Sequence, residues 1–196
     1  MKELIFDIKK FSYVTGEEID VSFIPMMQRR KLNKFGRSAL YTLYGAYKGG
    51  SPNLVFTSNY GDFDRVEKLI TQRKEDGEVS PAGFGMSVHN AIIGIFSLLE
   101  KINTSYNSIS AGENSISAGF LESVLSGESL FCYTESLGGI KSVSVLTSHN
   151  QNGEFVLCGN SQNKPASDGF VEFVDFLEGR TEEFVSDLYV IKRRQA

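Results

Sequence analysis

The chain has 196 residues, 41% of them hydrophobic and 22% charged, and a formal net charge of −4. This size and composition predict a single globular domain over residues 1–196 with a core of its own. The acidic balance argues against a nucleic-acid-binding surface, which needs a concentration of basic residues. No apolar run is long enough to cross a bilayer, and the first residues lack the apolar segment of a signal peptide. We therefore expect a cytoplasmic protein with no membrane insertion.

The first half of the sequence alternates between strand and helix patterns. Alternating apolar residues predict a strand near the start, and a helical spacing of apolar residues begins at Leu32. The predicted elements are, in order, a strand over Met1–Tyr13, a polar turn at Thr15–Glu18, a helix from Leu32 that ends in Gly49–Pro52, a short strand at Leu54–Thr57, a helix over Asp64–Lys74 and a turn at Ser80–Gly83.

The second half begins with the most apolar helix, Asn90–Lys101, which we expect to lie at the centre of the fold. The elements predicted after it are a strand at Tyr106–Ser110, a helix at Ser115–Leu125, a buried strand at Leu130–Thr134, a hairpin of Lys141–Thr147 with Glu154–Gly159, a polar loop at Asn160–Ser167, a helix at Phe170–Leu177 and a last strand at Phe184–Lys192. Within the predicted hairpin, the Asn152-Gly153 pair is a strong turn signal. Together the patterns predict an α/β fold with a mixed sheet flanked by helices and a short antiparallel C-terminal tail.

A sharp turn from strand to helix is predicted at residues 110–114, which we name the bend. The sequence reads Ser-Ile-Ser-Ala-Gly-Glu-Asn-Ser over residues 108–115, so the β-compatible run stops at Ala111-Gly112 and a helical pattern follows. Enzymes often place a nucleophile on such a turn, because the turn lifts a side chain clear of the backbone. The residue at this place is Glu113, a poor candidate for acyl chemistry.

Other chemical signatures are scarce. The sequence contains no Gly-x-Ser-x-Gly elbow and no phosphate-binding loop of the Gly-x-x-x-x-Gly-Lys type. Its cysteines, Cys132 and Cys158, lie in apolar runs, and its histidines and carboxylates show no metal-ligand spacing. His149 lies in a polar loop, whereas His89 precedes the apolar helix as either a structural or a catalytic residue. We expect no metal site and no cofactor.

Four stretches, in this order, resemble the N-terminal domain of β-ketoacyl synthases. The resemblance is greatest to the short chain-length-factor-like proteins of aryl polyene (type II polyketide) biosynthesis. The stretches are Arg29–Leu32 with Phe35–Leu40, Val55–Asp62, Ser80–Phe84 with Ser87–Ala91, and Ile109–Ser115. The run Ser87-Val88-His89-Asn90-Ala91 is the most specific of them. The helix at Phe170–Leu177 also looks like the terminal helix of the short family, although this chain lacks the tryptophans that typical members carry near the end. The resemblance implies the N-terminal half of a thiolase-like (ketosynthase) fold.

The resemblance also gives the bend a register. In ketosynthases an Asn opens a helix that contains a Gly, and the nucleophilic Cys follows after that helix and a strand. Placing Asn90 and Gly94 on those positions puts Glu113 where the Cys lies, whereas a register counted back from Gly127 puts Ser110 there. We prefer the first register because it preserves the strand before the bend. Neither register supplies a Cys.

The resemblance implies a partner rather than an independent enzyme. The histidines that decarboxylate malonyl units lie in the second repeat of the thiolase-like domain, and this sequence matches the first repeat and a short tail. Condensation needs a thiolate and groups that stabilise an enolate, so we expect a non-catalytic subunit. It would form a heterodimer with a catalytic β-ketoacyl synthase, which an acyl carrier protein reaches through the complex.

In that interpretation Glu113 fills the vacant nucleophile position and caps the following helix, whose N-terminus favours negative charge. The residues expected to form the partner interface or the acyl tunnel are Phe84, Met86, His89, Asn90, Tyr106, Ile109, Glu113, Ile116 and Phe120. For Ile109 and Phe120, an ordinary place in the core is the better interpretation.

Two other functions stay open from the sequence. The first is an acyl hydrolase or transferase that uses Ser110 or Ser115 with His89, and labelling of the lone protein by an acyl thioester or a fluorophosphonate would identify it. The second is a free-standing binding domain, which would form no stable heterodimer with ketosynthases.

Overall fold

A computed structural model describes residues 3–16, 18–161, 166 and 169–194 of the chain. The elements before the bend are β1 (Leu4–Thr15), α1 (Met26–Arg29), α2 (Lys34–Ala46), β2 (Asn53–Thr57), α3 (Phe63–Asp76), α4 (Pro81–Ser87), α5 (Ala91–Glu100) and β3 (Tyr106–Ile109). Those after it are α6 (Ser115–Leu125), β4 (Ser129–Glu135), β5 (Lys141–His149), β6 (Phe155–Gly159), α7 (Phe170–Leu177), β7 (Glu183–Val185) and β8 (Tyr189–Arg193). Met1 and Lys2 of the predicted first strand, Glu17 of the polar turn and most of the predicted loop at Asn160–Ser167 lie outside the described residues.

The described strands form one mixed sheet in the order β3-β2-β4-β5-β1-β6-β8-β7. β2 runs parallel to both of its neighbours, β3 and β4. All other neighbouring pairs are antiparallel, including β6, β7 and β8 at the C-terminal end. The predicted mixed sheet with a short antiparallel C-terminal tail is therefore confirmed.

Each face of the sheet carries a separate apolar cluster. Side chains alternate between the faces along a strand, and Val55 joins the cluster around α6 and α7 while Leu54 and Phe56 join the cluster around α2 and α5. The α6–α7 cluster is rich in phenylalanine, with Phe173 of α7 packed against Phe120 of α6 at a ring-centroid distance of 5.0 Å. Helices thus cover both faces, as the alternation of strand and helix patterns predicted.

The predicted hairpin of β5 with β6 is wrong, because β1 lies between these two strands. β1 is antiparallel to both, and Phe6 pairs with His149 on one side and with Phe155 on the other. The connecting segment passes across the end of β1, where Asp7 accepts hydrogen bonds from Asn150 Nδ2 at 2.6 Å and from the Glu154 N–H at 2.8 Å. The chain does turn near Asn152-Gly153, but the two strands that this turn joins are not neighbours in the sheet.

Two shorter segments also differ from the prediction. The predicted turn at Ser80–Gly83 is the start of α4, where the Ser80 hydroxyl accepts a hydrogen bond from the Gly83 N–H and Pro81 occupies the first turn. The predicted last strand is a hairpin of β7 and β8, closed by a hydrogen bond from the Ser186 N–H to the Tyr189 carbonyl at 2.8 Å.

α5 is less central than its composition suggested. Ile92, Ile93 and Phe96 are buried against the sheet and α2, whereas Leu98 is 80% exposed. The helix therefore belongs to an outer layer. Among the described residues, no single helix is long and apolar enough to cross a membrane; α4 and α5 meet that length and composition only as a pair, and they are bent by 91° where they meet.

Candidate functional site at the strand-to-helix bend

The bend connects edge strand β3 to the buried N-terminal turn of α6. Gly112 adopts a left-handed conformation with a φ of 60°, which glycine tolerates without a steric cost. The hydroxyl of Ser115 closes the turn, since it accepts a hydrogen bond from the Ala111 N–H at 3.0 Å and donates one to the Gly112 carbonyl at 2.8 Å. Ser115 itself is completely buried. The predicted sharp turn is present.

Glu113 does not act as the predicted cap. Asn114 occupies the N-cap position of α6, and its side chain forms no capping hydrogen bond. The side chain of Glu113 is exposed at the surface of the bend. Its carboxylate is therefore presented to the surroundings.

A second loop lies against the bend at the carboxyl ends of the parallel strands. We name residues Ser58–Asp62 the β2 loop. The Ser110 hydroxyl donates to the Asn59 carbonyl at 3.1 Å, and the Ser115 hydroxyl lies 3.4 Å from the Ser58 carbonyl. His89 Nε2 lies 3.3 Å from the same Ser58 carbonyl. The structure thus brings the three residues of the alternative enzyme hypothesis together around one loop.

These contacts do not assemble a nucleophile with a base. A carbonyl only accepts hydrogen bonds, so His89 Nε2 carries a hydrogen and donates it to Ser58 O. Burial lowers the pKa of His89, which keeps the ring neutral near pH 7, and the edge of the Phe56 ring packs beside it. Among the described residues, neither the Ser110 nor the Ser115 hydroxyl forms a hydrogen bond with that ring. The arrangement fits a structural histidine.

Glu135, at the end of β4, is a site residue that the sequence analysis missed. It is 4% exposed, and its Oε2 accepts hydrogen bonds from the Asn59 N–H at 3.0 Å, the Tyr60 N–H at 3.1 Å and the Ser58 hydroxyl at 3.2 Å. Oε1 accepts from the Ser136 N–H at 3.1 Å. Burial and the nearby Glu135 charge raise the pKa of Tyr133 to about 12. The sequence signal that could have identified Glu135 is its position directly after the predicted buried strand Leu130–Thr134.

The predicted interface residues divide into surface and core. Phe84 is 59% exposed and Tyr106 is 45% exposed, and Asn90 and Glu113 are also exposed. Met86, His89 and Ile109 are half-buried. Ile116 and Phe120, in contrast, are 2% and 0% exposed and pack in the α6–α7 cluster. The expectation that Ile116 forms a partner surface is corrected, because the protein's own core encloses it, whereas the preferred core position of Phe120 is confirmed.

Helices α3 and α4, which we name the α3–α4 unit, add exposed apolar residues to Phe84, the one that the sequence analysis singled out. Neither helix contains a buried residue. Asp62 anchors the unit, since its buried carboxylate accepts hydrogen bonds from Asn33 Nδ2 at 2.6 Å and from Arg65 Nε at 2.8 Å. The exposed apolar side chains of the unit and its flanks are Tyr60, Phe63, Val66, Ile70, Phe84 and Val88.

The C-terminal tail covers the other side of α6. The Tyr189 hydroxyl donates to the Ser117 carbonyl at 2.7 Å. The space left between α6 and the β7–β8 turn is a cavity of about 50 Å³, beside Leu121 and Leu188. Such a cavity has room for a few water molecules. The tail therefore fills the space beside α6 instead of leaving a tunnel.

The remaining candidates for chemistry lie apart from the bend. Cys132 is buried, and burial raises the pKa of its thiol, while Cys158 is half-buried. His149 Nε2 donates to the Val124 carbonyl at the end of α6. In the described part of the chain, no group of three or more His, Cys, Asp or Glu residues is arranged to hold a metal ion.

The chain is similar to a known protein family in sequence and to solved structures in fold. The family model described as β-ketoacyl synthase, N-terminal domain, matches residues 9–129. No curated protein sequence matches the chain. A solved structure of a ketosynthase in complex with its chain length factor from Xenorhabdus doucetiae matches 97% of this chain and 100% of the compared chain, with a TM-score of 0.77 and 18% identity.

Two further solved structures are similar in fold. The ishigamide ketosynthase/chain length factor matches 90% of this chain and 73% of its own, with a TM-score of 0.60 and 11% identity. A type II polyketide synthase acyl carrier protein in complex with its ketosynthase bound to the hexaketide matches 92% of this chain and 76% of the compared chain, with a TM-score of 0.63 and 12% identity.

Proposed function

Because the chain belongs to the β-ketoacyl synthase N-terminal domain family, we propose that it is a non-catalytic, chain-length-factor-like subunit of a condensing-enzyme complex. The predicted thiolase-like, ketosynthase-type fold is confirmed by the structural similarity. The subunit pairs with a catalytic β-ketoacyl synthase in polyketide synthesis of the aryl polyene type. An acyl carrier protein brings the growing chain to that complex.

The observation that carries the proposal is the composition of the bend. Acyl transfer needs a nucleophile activated by a nearby base. The preferred register places Glu113 at the nucleophile position, and its carboxylate is exposed. The two nearby hydroxyls, of Ser110 and Ser115, are bonded to backbone groups. This pattern supports a retained ketosynthase shape with a different use.

The surface around the bend supports the binding of a partner protein there. β3 lies at the edge of the sheet, so one side of its backbone is free to pair with a strand of another chain. Tyr106 on this strand and Phe84 on α4 are both exposed apolar side chains. Contiguous exposed apolar patches are typical of protein interaction sites. We place the ketosynthase against β3, the bend and the α3–α4 unit.

Within that complex, Phe84, Met86 and Glu113 would line the part of the acyl tunnel that this subunit contributes. The cavity beside α6 measures about 50 Å³, which is too small for an extended acyl chain. The growing chain would therefore run along the interface between the subunits. Residues at that interface would then limit its length.

Co-expression with β-ketoacyl synthases of the source organism, one at a time, tests the pairing by size-exclusion chromatography. A charge on the edge strand, Tyr106→Asp, is expected to weaken the heterodimer about tenfold or more, because a buried unpaired charge is costly. Tyr41→Asp on α2 is the matched control, since Tyr41 is 38% exposed and belongs to the α2 side of the fold. An intact complex with Tyr106→Asp would place the interface elsewhere.

Labelling of the isolated protein tests the non-catalytic role. We expect neither an acyl thioester nor a fluorophosphonate to label the chain, because the hydroxyls of Ser110 and Ser115 at the bend are hydrogen-bonded to backbone groups and not to a base. Labelling that disappears in Ser110→Ala would contradict the proposal and favour an acyl hydrolase or transferase.

A further inference from the structure

The Glu135 carboxylate is the point at which two strands and the β2 loop are joined. Three of its four hydrogen-bond donors belong to Ser58, Asn59 and Tyr60. The N–H groups of Asn59 and Tyr60 follow the end of β2, and a buried backbone N–H needs an acceptor. Among the described residues, no Lys or Arg forms an ion pair with this carboxylate, so its hydrogen bonds are what hold it.

The β2 loop in turn holds the bend and His89. Its Asn59 carbonyl accepts from Ser110, and its Ser58 carbonyl is shared by Ser115 and His89. The Ser58 hydroxyl links the two sets of contacts, because it donates to Glu135 and accepts from the Gly61 N–H at 2.8 Å. A displacement of the loop would therefore move all three contacts together.

We propose that Glu135 is the positioning residue of this site: its carboxylate fixes the β2 loop and, through the loop, sets the place of the bend and of His89. It touches neither a substrate nor reacting atoms. The first consequence, a rigid bend, concerns this chain alone. The second, a correctly shaped surface for the ketosynthase, rests on the proposed function.

Glu135→Gln is the most direct variant, because it keeps the shape and removes the charge. A carboxylate offers only acceptors, whereas the glutamine amide presents an NH₂ group to donors. At least one of the present hydrogen bonds must then be lost. Glu128→Gln is the matched control, since Glu128 is exposed in the turn before β4.

Hydrogen exchange on the isolated protein tests the rigid bend. We expect exchange at the Asn59 and Tyr60 amides to be about tenfold faster in Glu135→Gln, with faster exchange across residues 110–115, because a neutral amide oxygen is a weaker acceptor than a carboxylate even where it keeps the contact. Glu128→Gln should exchange like the unaltered protein. Unchanged exchange in Glu135→Gln would overturn the proposal.

A second readout comes from the two histidines of the chain. The groups facing Glu135 are His89, Tyr60 and Tyr133, and its negative charge favours protonated His89. In Glu135→Gln the His89 resonances should move and their titration midpoint should fall, while those of His149 stay in place. A general loss of stability would not separate the histidines in this way. An unchanged His89 titration would count against the proposal.

Should Glu135→Gln fail to fold, Ser58→Ala gives the same test, because it removes one donor and keeps the carboxylate. The Gly61 amide loses its own acceptor in this variant, so the readout is the Asn59 and Tyr60 amides: faster exchange there supports the proposal, and unchanged exchange there overturns it. The partner consequence is measured separately: Glu135→Gln should weaken the complex about fivefold, within the range expected for a lost hydrogen bond. If the unaltered protein binds no ketosynthase, the proposed function fails, and the exchange experiment still decides the role of Glu135.

Discussion

The two helical regions beside the bend are built in opposite ways. α6 buries seven of its 11 residues between the sheet and the C-terminal tail, with Phe120 packed on Phe173 and Tyr189 bonded to Ser117. The α3–α4 unit, on the other side of the bend, buries none of its residues and exposes Phe84 and Ile70. The protein thus completes its own core around α6 and leaves apolar surface uncovered along α3 and α4.

This difference in burial predicts that the two regions have different roles, one in the stability of the fold and the other in assembly with a partner. A change in the covered region should cost folding free energy, because each side chain there has close neighbours in the same chain. A change in the α3–α4 unit should hardly affect folding and should act on the partner instead. The predictions below test whether the two regions are as distinct as their burial indicates.

The largest expected effect is that of Phe173→Ala. Phe173 is completely buried, and its ring lies 5.0 Å from both Phe120 and Phe184. Removing it should lower the free energy of unfolding by about 3–5 kcal/mol, measured by urea denaturation. Val171→Ala, in the same helix but 60% exposed, is the control and should change the value by less than about 0.5 kcal/mol. Similar losses for both variants would contradict the tail's role in the core.

A pair of helical glycines compares the covered helix with an outer one. A Cβ on Gly119 of α6 would lie 2.1 Å from Thr57 Cγ2, whereas a Cβ on Gly94 of α5 would meet no atom within 4 Å. Gly119→Ala should destabilise the fold by about 1–3 kcal/mol through overpacking. Gly94→Ala should stabilise it by about 0.5–1 kcal/mol through helix propensity. Thermal unfolding of both variants checks the contrast, and equal shifts would refute it.

The smallest effect concerns the segment that crosses β1. Hydrogen bonds from Asn150 and from the Glu154 N–H, with a smaller contribution from Lys9, lower the pKa of Asp7 to about 2. A lowered carboxyl pKa stabilises the fold above the unfolded value of about 3.9, and this stabilisation is lost as the pH falls towards 2. Asp7→Asn should therefore reduce the melting temperature at pH 6 and have little effect at pH 2. A pH-independent difference, or one matched by exposed Glu78→Gln, would contradict this role.

Local sequence patterns predicted the helices of the covered region with their bounds. Ser115–Leu125 and Phe170–Leu177 were both predicted as the structure has them, because their apolar spacing, which produces one buried face, is a local property. The same reasoning missed α4, since Ser80-Pro81 can open either a turn or a helix. A local sequence signal therefore predicts an element correctly only where that signal is typical of a single type of secondary structure.

Non-local pairing was beyond the sequence patterns. Nothing near Asn152-Gly153 indicates that β1, from the start of the chain, separates the strands on either side of that turn. Glu135 was missed for the same reason, because its partners Asn59 and Tyr60 are brought to it only by the parallel pairing of β2 with β4. The bend was predicted from local residues, and the contacts that hold it were not.

The central claim is that a ketosynthase covers the α3–α4 unit and β3, and hydrogen–deuterium exchange of the free and co-purified chain measures it directly. We predict that the complex slows exchange in residues 81–88 and 106–113 and leaves residues 170–177 unchanged, because α7 is already covered within the chain. Protection confined to residues 170–177, or no protection at residues 81–88 and 106–113 in a stable complex, would contradict the account.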